Sequence, residues 1–281
     1  HNRDLLNATA ALSLLVPATG SPESPGRYQT VKTLYAKGLD EVLKPASVTK
    51  VMTAMVMLDH IDNLLDTIQM AEGDQTGGSA NNLQVGDIIT YDDALHNMML
   101  PSSNVTTTVV ARTIGQLLVD QAGDGVPVEM FVEAMNSKAR QLGMQSTYFT
   151  NPSGLNSDDM VTTVRDLGRL GIAALSYPEI IATWGKAAHT INVQGDNARS
   201  VEISHSMSIV TDDDVMGGKT GTLTGSNTTR NLLILSRMPG GNFAVSVVML
   251  TSSENRYTDM RHLLEFVKTG YRWPASYLLS M

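Results

Sequence analysis

The sequence predicts an α+β fold of three layers, in which helices flank both faces of an antiparallel sheet. Three observations predict it: short apolar strand-like segments near the N-terminus, helical periodicity through the middle of the chain, and apolar hairpins near the C-terminus. Strands from both chain ends must share one sheet if the helices between them form an insertion. We therefore expect a single catalytic domain over residues 1–281, with a sheet subdomain at about 1–46 and 186–281 and an inserted helical subdomain at about 47–185.

Two strands are predicted in the N-terminal part, around residues 11–16 and 31–36. The loop between them, ATGSPESPGRYQ, contains Gly and Pro residues that favour turns. The apolar segment at residues 10–17 is too short for a membrane span and lacks the basic flank of a signal peptide. These properties favour a strand there.

Helical patterns dominate the central part of the chain. The first helix is predicted in SVTKVMTAMVMLDHI, which opens at Ser47 and precedes a Gly- and Asn-rich segment at residues 73–86. Apolar residues then recur with the helical period in four further segments, at residues 92–99, 104–118, 128–142 and 162–175.

Beyond about residue 186 the pattern changes to that of strands. AHTINV and ARSVEIS flank the turn at residues 195–197, and NLLILSR and NFAVSVVML flank the turn at residues 239–241. Each pair predicts a hairpin of antiparallel strands. A last helix is predicted at about residues 257–268.

Composition excludes several classes of protein. The chain has 281 residues with 20 basic and 28 acidic side chains, a net charge of −8, and no basic run with interleaved aromatic residues. Nucleic acid is therefore not an expected partner. The chain has no cysteine, which excludes disulfides and thiolate nucleophiles, and its 6 histidines form no HExxH pair. We expect no metal and no cofactor.

The segment Ser47-Val48-Thr49-Lys50 is the most informative motif. Residues three apart share one helix face, so the Ser47 hydroxyl and the Lys50 amine can lie within proton-transfer distance. The start of a helix also offers free backbone N–H groups to an anion. For this motif alone, a serine that caps the helix and a lysine that reaches solvent are the preferred interpretation, so the partner motifs must decide.

A second motif, Ser102-Ser103-Asn104, follows a predicted helix and Pro101. The SxN pattern also occurs at residues 79–81 and 253–255, but only the copy at 102–104 lies at a junction between two apolar helices. The alternative is that Ser102 caps the following helix.

The KTG pattern occurs twice. Lys268-Thr269-Gly270 ends a predicted helix, where a basic residue followed by glycine is ordinary capping chemistry. Lys219-Thr220-Gly221 instead follows Gly217-Gly218 and leads toward the strand pair. This copy can form a sheet edge whose small residues let an extended peptide approach.

The three motifs form a coherent chemical set. A lysine can accept the Ser47 proton only when it is neutral, so the pKa of Lys50 must fall through burial and a neighbouring cation, which Lys219 can supply. Ser102 would pass the proton to the leaving amine, Asn104 would hold a substrate amide, and Thr220 would donate to a substrate carboxylate attracted by Lys219. We expect the backbone N–H groups of Ser47 and Thr222 to form the oxyanion hole.

SxxK, SxN and KTG in this order resemble the motifs of the penicillin-recognising serine enzymes. Within that superfamily the chain resembles the low-molecular-mass penicillin-binding proteins that are D-alanyl-D-alanine carboxypeptidases, the S11 serine peptidase family. The similarity includes PASVTKVMTA, MLPSSN, MNSKARQLGMQSTYFTNPSGLNS and TTVRDLGRL, and spans roughly residues 30–268. It implies an acyl-enzyme on Ser47, release of the terminal D-alanine from peptidoglycan stem peptides, and β-lactams as covalent ligands.

The resemblance also implies the substrate-binding residues, which are Asn104, Lys219, Thr220, Gly221, Thr222 and Arg256. Two positions depart from the family pattern. Val105-Thr106 stands where the family usually has Asp-Ala, and Thr222-Leu223 follows KTG where an aromatic or His and then Thr are common. Arg256 resembles a family arginine near the carboxylate, and a surface helix cap explains it equally well.

Two other functions fit the same motifs. A β-lactamase would need a carboxylate to activate water; class A enzymes place Glu four residues before Asn, whereas here Glu129 precedes Glu133 and Glu133 precedes Ser137. A penicillin-binding sensor without turnover is the second alternative. The intact motif residues argue against it, and the departures at Val105 and Leu223 keep it open. An esterase on the same scaffold also stays open.

Many relatives carry a C-terminal β-rich domain and an amphipathic membrane anchor, which this sequence does not show. The chain begins with His1, as if a signal peptide had been removed. We expect a monomer without a membrane anchor, located outside the cytoplasm in the bacterial periplasm or cell envelope.

Overall fold

A computed structural model describes residues 6–17, 32–225, 228–251 and 255–270. Its strands are β1 (Ala10–Val16), β2 (Lys32–Lys37), β3 (Thr67–Gln69), β4 (Ile88–Thr90), β5 (Ala188–Val193), β6 (Arg199–Ser204), β7 (Val215–Leu223), β8 (Thr229–Arg237) and β9 (Phe243–Met249). Its helices are α1 (Thr49–Leu58), α2 (Tyr91–Met99), α3 (Asn104–Ala122), α4 (Pro127–Gln141), α5 (Val164–Ala174), α6 (Pro178–Trp184) and α7 (Asn255–Glu265).

The main sheet has five antiparallel strands in the order β2-β1-β9-β8-β7. The N-terminal strand β1 pairs with the C-terminal strand β9, and Ser13 lies opposite Ser246 with their hydroxyl oxygens 2.9 Å apart. The prediction of one antiparallel sheet assembled from both ends of the chain is confirmed. The strand β7, which contains Lys219-Thr220-Gly221, is an edge strand of this sheet.

Helices cover both faces of the sheet, which confirms the three layers. Successive side chains of a strand point to opposite faces. On β8, Leu233 and Leu235 therefore pack toward α5, whereas Leu232 and Ile234 pack toward α7. A Cβ on Gly171 of α5 would lie 2.5 Å from Val245 Cγ1, so glycine there allows α5 to approach the sheet closely.

The inserted helices surround α1, whose residues from Thr49 to Met57 are all buried. A helix that is apolar on every side is stable only inside a core. The α1 side chains belong to the same continuous hydrophobic cluster as the α5 face of the sheet. Lys50, which belongs to α1, is therefore held in the interior of the protein.

The structure differs from the sequence prediction in three places. The short helix α6 was not predicted. The hairpin of β5 and β6 forms its own two-stranded sheet against α2, outside the five-stranded sheet to which the sequence assigned it. The three-residue strands β3 and β4 pair with each other, and no sequence pattern predicted them because three residues are too few to show a period. The division at about residue 186 stays a prediction.

Some predictions fall on residues that the structure does not describe, namely the loop ATGSPESPGRYQ and Ser253 of the third SxN copy. The last helix begins at Asn255 and ends in a π-helical turn at Phe266–Gly270. Within the described ranges, none of the helices combines the length and the apolar character that crossing a bilayer requires.

Candidate active site

Ser47 lies in a 3₁₀ turn, Ala46–Val48, that leads directly into α1. The Lys50 Nζ atom lies 2.8 Å from Ser47 Oγ, and it donates to Asn104 Oδ1 at 2.7 Å and to the Ser153 carbonyl at 2.9 Å. The last two partners only accept hydrogen bonds. The two N–H groups of a neutral Lys50 amine are therefore directed to these acceptors, and its lone pair faces the Ser47 hydroxyl.

Burial favours the neutral form of Lys50. The side chain is 0% exposed, and burial together with the Lys219 cation holds the pKa of Lys50 well below its ordinary value. Burial and the nearby Arg256 guanidinium lower the pKa of Lys219 to about 7. The positive charge of Lys219 is thus half lost near neutral pH in the free protein, and a bound carboxylate would restore it.

Ser102 lies between α2 and α3 and contacts Lys219. Its hydroxyl accepts from Lys219 Nζ at 2.8 Å, and its φ of +66° is a left-handed value that side-chain-bearing residues rarely adopt. The alternative that Ser102 caps α3 is wrong. The cap is Ser103, whose Oγ accepts from the backbone N–H of Thr106 at 3.2 Å.

Asn104 is the first residue of α3, and its side chain contacts both α1 and the loop at Gly77. Its Oδ1 accepts from Lys50, and its Nδ2 donates to the Gly77 carbonyl at 3.0 Å. A Cβ on Gly78 would lie only 2.2 Å from Asn104 Nδ2, so the loop can approach only with glycine at that position. The second Nδ2 hydrogen can be offered to a substrate carbonyl.

Val105 and Thr106, which depart from the family pattern, are buried and well packed behind Asn104. Val105 is fully buried, and the Thr106 hydroxyl accepts from Asn97 Nδ2 at 2.7 Å and from Ser103 Oγ at 3.0 Å. The packing behind Asn104 is therefore a satisfied hydrogen-bond network.

The edge strand β7 supplies the other wall. Thr220 Oγ1 lies 2.8 Å from Ser206 Oγ, and the exposed Thr222 hydroxyl accepts from Arg256 Nη1 at 2.9 Å. Arg256 also donates to the Gly221 carbonyl at 3.3 Å. Arg256 is in the first turn of α7, and its guanidinium contacts β7. A guanidinium has only donors, so it cannot cap the exposed N–H groups of that turn.

Two other motif copies, the second KTG and the SxN at residues 79–81, contribute no side chain to this cluster. Lys268 forms an ion pair with Asp214 at the end of the α7 segment. Ser79 and Ala80 contribute only their carbonyls, which accept from Asn104 N and Ser103 Oγ at 3.0 and 2.9 Å. The structure thus brings together the copies chosen from the sequence, and it makes the Ser79 copy a support behind Asn104.

Sequence reasoning missed the loop that orients Lys50. Asn151 Oδ1 accepts from the backbone N–H groups of Ser153, Gly154 and Leu155 at 3.2, 2.9 and 3.1 Å. The letters NPSG predict such a turn. They do not show that the turn places the Ser153 carbonyl against Lys50, because that contact spans 103 positions.

One cluster away from the cleft contains possible metal ligands, Asp92, His96 and His189. The two imidazole rings stack with centroids 3.9 Å apart and planes within 13°. Parallel rings at this spacing cannot direct lone pairs at one ion. In addition, His96 Nδ1 donates to the Asp92 carbonyl and Nε2 accepts from Lys186 at 2.7 Å. This arrangement does not fit a metal site.

The family model of the D-alanyl-D-alanine carboxypeptidases, Peptidase_S11, matches residues 27–253. The chain belongs to this family.

Several known proteins are similar to this chain. A D-alanyl-D-alanine endopeptidase of Pseudomonas aeruginosa is 36% identical over 158 residues, which are 55% of this chain and 47% of the relative. A D-alanyl-D-alanine carboxypeptidase of Bacillus subtilis is 30% identical over 54% of this chain and 38% of its own length. The chain thus matches less than half the length of these two curated relatives.

A more complete match is a D-alanyl-D-alanine carboxypeptidase of Streptomyces sp. strain K15, 27% identical over 266 residues, which are 88% of this chain and 87% of the relative. The crystal structure of the Streptomyces K15 DD-transpeptidase matches with a TM-score of 0.79 and 22% identity, covering 93% of this chain and 97% of that one. This structural likeness shows the fold.

Proposed function

We propose that this protein is a serine-type D-alanyl-D-alanine carboxypeptidase that acts on peptidoglycan stem peptides through an acyl-enzyme on Ser47. The observation that carries the proposal is the contact between the buried Lys50 amine and the Ser47 hydroxyl, at 2.8 Å. Lys50 has its pKa lowered by burial and by a second buried lysine. This is the arrangement that activates a serine nucleophile.

In the acylation step, Lys50 accepts the Ser47 proton while Ser47 Oγ attacks the carbonyl carbon of the penultimate D-alanine. The developing oxyanion faces the backbone N–H groups of Ser47 and Thr222. Ser102, whose hydroxyl accepts a hydrogen bond from Lys219, is proposed to pass a proton from Lys50 to the leaving amine. The C–N bond breaks, D-alanine leaves, and water then hydrolyses the ester with Lys50 as the base.

Substrate binding is proposed to use the edge of β7. An extended peptide can pair with a free strand edge and place its terminal carboxylate near Lys219, Thr222 and Arg256. Gly221 lets the peptide backbone approach, and the hydroxyl of Thr220 donates to the carboxylate. The positive potential of Lys219 and Arg256, together with the hydroxyls, supports an anionic ligand.

β-Lactams are proposed as long-lived covalent ligands rather than substrates. Among the described residues, no carboxylate forms a hydrogen bond with Ser47, Lys50 or Ser102. Glu133 of α4 pairs with Arg140 and is 65% exposed, so it is not placed to activate a deacylating water. The intact Ser47–Lys50–Ser102 set also supports an active enzyme over a sensor.

A D-alanyl-D-alanine endopeptidase is the second candidate, because the relative that is 36% identical carries that name. The two activities share the acylation step and differ in the leaving group. A carboxypeptidase releases free D-alanine from a pentapeptide, whereas an endopeptidase cleaves a cross-linked dimer. We further propose that the protein works as a monomer outside the cytoplasm, in the periplasm or cell envelope, where its substrate lies.

The test combines mass spectrometry with product analysis. Benzylpenicillin should add its mass to the intact protein, and peptide mapping should place the adduct on Ser47. Incubation with a D-Ala-D-Ala pentapeptide should release D-alanine. Cleavage of cross-linked dimers into monomer peptides, without release of free D-alanine from the pentapeptide, would favour the endopeptidase. Penicillin turnover within seconds would favour a β-lactamase, and labelling without any product would favour a sensor.

A further inference from the structure

Asn231 is a buried residue of β8 that lies outside the three sequence motifs. Its side chain is 0% exposed, and in the strand register it lies opposite Gly221. Its Nδ2 donates to the carbonyls of Lys44 and Pro45 at 2.8 and 3.1 Å, and its Oδ1 accepts from Leu250 N at 3.1 Å. One amide side chain thus joins the strand β8 to the chain segment that leads into the nucleophilic turn.

This segment is held in an unusual conformation next to Ser47. Ala46 has a φ of +50°, a left-handed value that costs free energy for a residue with a side chain. Such a conformation persists only where surrounding contacts determine it. The Asn231 amide holds the two carbonyls that immediately precede Ala46.

Two glycines pack closely against the same segment at neighbouring peptide units. A Cβ on Gly154 would lie 1.9 Å from the Ala46 carbonyl oxygen, and a Cβ on Gly221 would lie 3.0 Å from the Pro45 carbonyl oxygen and 3.2 Å from Ala46 Cβ. The peptide bond between Ala46 and Ser47 is planar, so the direction of its C=O fixes the direction of the Ser47 N–H. The contacts made by residues 44–46 therefore determine the direction of the Ser47 N–H group.

We propose that Asn231 is a positioning residue that directs the backbone N–H of Ser47 into the oxyanion hole. The inference rests on the proposed acyl-enzyme. By holding the Lys44 and Pro45 carbonyls, Asn231 keeps Ala46 in its left-handed conformation and so keeps the Ser47 N–H aligned with the developing oxyanion. A residue with only a structural role would satisfy buried carbonyls without affecting the transition state.

The test compares Asn231→Leu with a matched control, Asn242→Leu. Asn242 is 1% exposed and donates its Nδ2 to the Pro239 carbonyl at 2.7 Å, in the hairpin turn between β8 and β9. Both variants remove a buried side-chain donor to a backbone carbonyl. Thermal melting of each variant measures the loss of stability, and benzylpenicillin acylation measures the effect on the site.

For Asn231→Leu, we expect the first-order acylation constant to fall about a hundredfold, because a misaligned group at the reaction centre has an effect of this size. The dissociation constant of the complex before acylation should change little. The ester carbonyl of the acyl-enzyme should absorb at higher wavenumber in the infrared, because a weaker hydrogen bond stiffens the C=O bond. Asn242→Leu should acylate at the wild-type rate with an unshifted ester band.

Equal acylation constants and ester bands in the two variants would overturn the inference. If Asn231→Leu does not fold, Asn231→Ser keeps a small polar side chain that is too short to reach both carbonyls, and the same two readouts apply. Failure of the wild-type protein to acylate would reject the proposed function instead. In that event a crystal structure of the Asn231 variant still decides, since an unchanged Ser47 N–H direction would overturn the inference and a rotated one would support it.

Discussion

The Nζ atom of Lys219 lies 2.8 Å from the Oγ atom of Ser102, and the two residues are 117 positions apart in the chain. This contact joins the edge strand β7 to the junction between α2 and α3. A hydrogen bond therefore connects the sheet to the inserted helices at the candidate active site. Both side chains are buried, so the contact is shielded from water.

Penicillin labelling of two variants tests the choice of Ser47 as the nucleophile and the rejection of the KTG copy at Lys268. Ser47→Ala should abolish labelling by a fluorescent penicillin, because among the described residues only the Ser47 hydroxyl is hydrogen-bonded to the Lys50 amine. Lys268→Ala should label like the wild type, because Lys268 pairs with Asp214 outside the site. Labelling retained by the first variant and lost by the second would reject the chosen motifs.

The pH dependence of acylation should report the two lysines. The free protein needs a neutral Lys50 and a charged Lys219, so kcat/KM should rise as Lys50 loses its proton and fall as pH rises through about 7, where Lys219 loses its charge. Lys219→Arg keeps the charge at all these pH values and should remove the falling limb, even if its overall rate is lower. A falling limb at the same pH in both proteins would contradict the assignment to Lys219.

Arg256 should contribute mainly to substrates with a free terminal carboxylate. Its Nη1 lies 2.9 Å from Thr222 Oγ1 at the exposed end of the site. We expect Arg256→Leu to lower kcat/KM for a peptide with a free carboxylate by about tenfold or more, since a charge-assisted hydrogen bond contributes about 1.5–3 kcal/mol. The same peptide with an amidated C-terminus is the control, and an equal loss on both peptides would exclude a carboxylate-binding role.

Gly154→Ala should cost both stability and acylation, and Gly123→Ala is its matched control. Both glycines have left-handed backbones, with φ of +83° and +85°, but a Cβ at Gly123 meets nothing within 4 Å. Strain alone should cost Gly123→Ala about 1 kcal/mol. The clash with the Ala46 carbonyl should add about 2 kcal/mol for Gly154→Ala. Urea unfolding measures the loss of stability in both variants, and penicillin labelling measures the loss of acylation. Similar losses of stability in the two variants would show that the loop relaxes easily.

The sheet and the main helices could be predicted because their patterns are local. β8 alternates Leu232 and Ile234 toward one helix layer with Leu233 and Leu235 toward the other, which gives the continuous apolar run typical of a strand buried on both faces. The hairpin of β5 and β6 was also predicted as a pair, yet its packing against α2 was not. A hairpin sequence defines its own pairing and turn, whereas its partner surface depends on the rest of the fold.

The site followed the same division. The three-residue spacing of Ser47 and Lys50 in a helical turn gives their contact directly from the sequence. Context at a helix junction and at a strand start selected Ser102 and Lys219 among repeated motifs. The Ser153 carbonyl and the Asn231 amide were not predicted, because backbone acceptors and single buried amides leave no pattern in the letters.

The sequence by itself determined the identity of the reacting groups, the order of the motifs and the sheet to which both ends of the chain contribute. Only the tertiary structure decided the protonation of Lys50, the charge of Lys219 and the direction of the Ser47 N–H group. The physical reason is that pKa values and hydrogen-bond directions depend on burial and on neighbours brought together by folding. Spacing along the chain can place two side chains on one face, but it cannot remove the water around them.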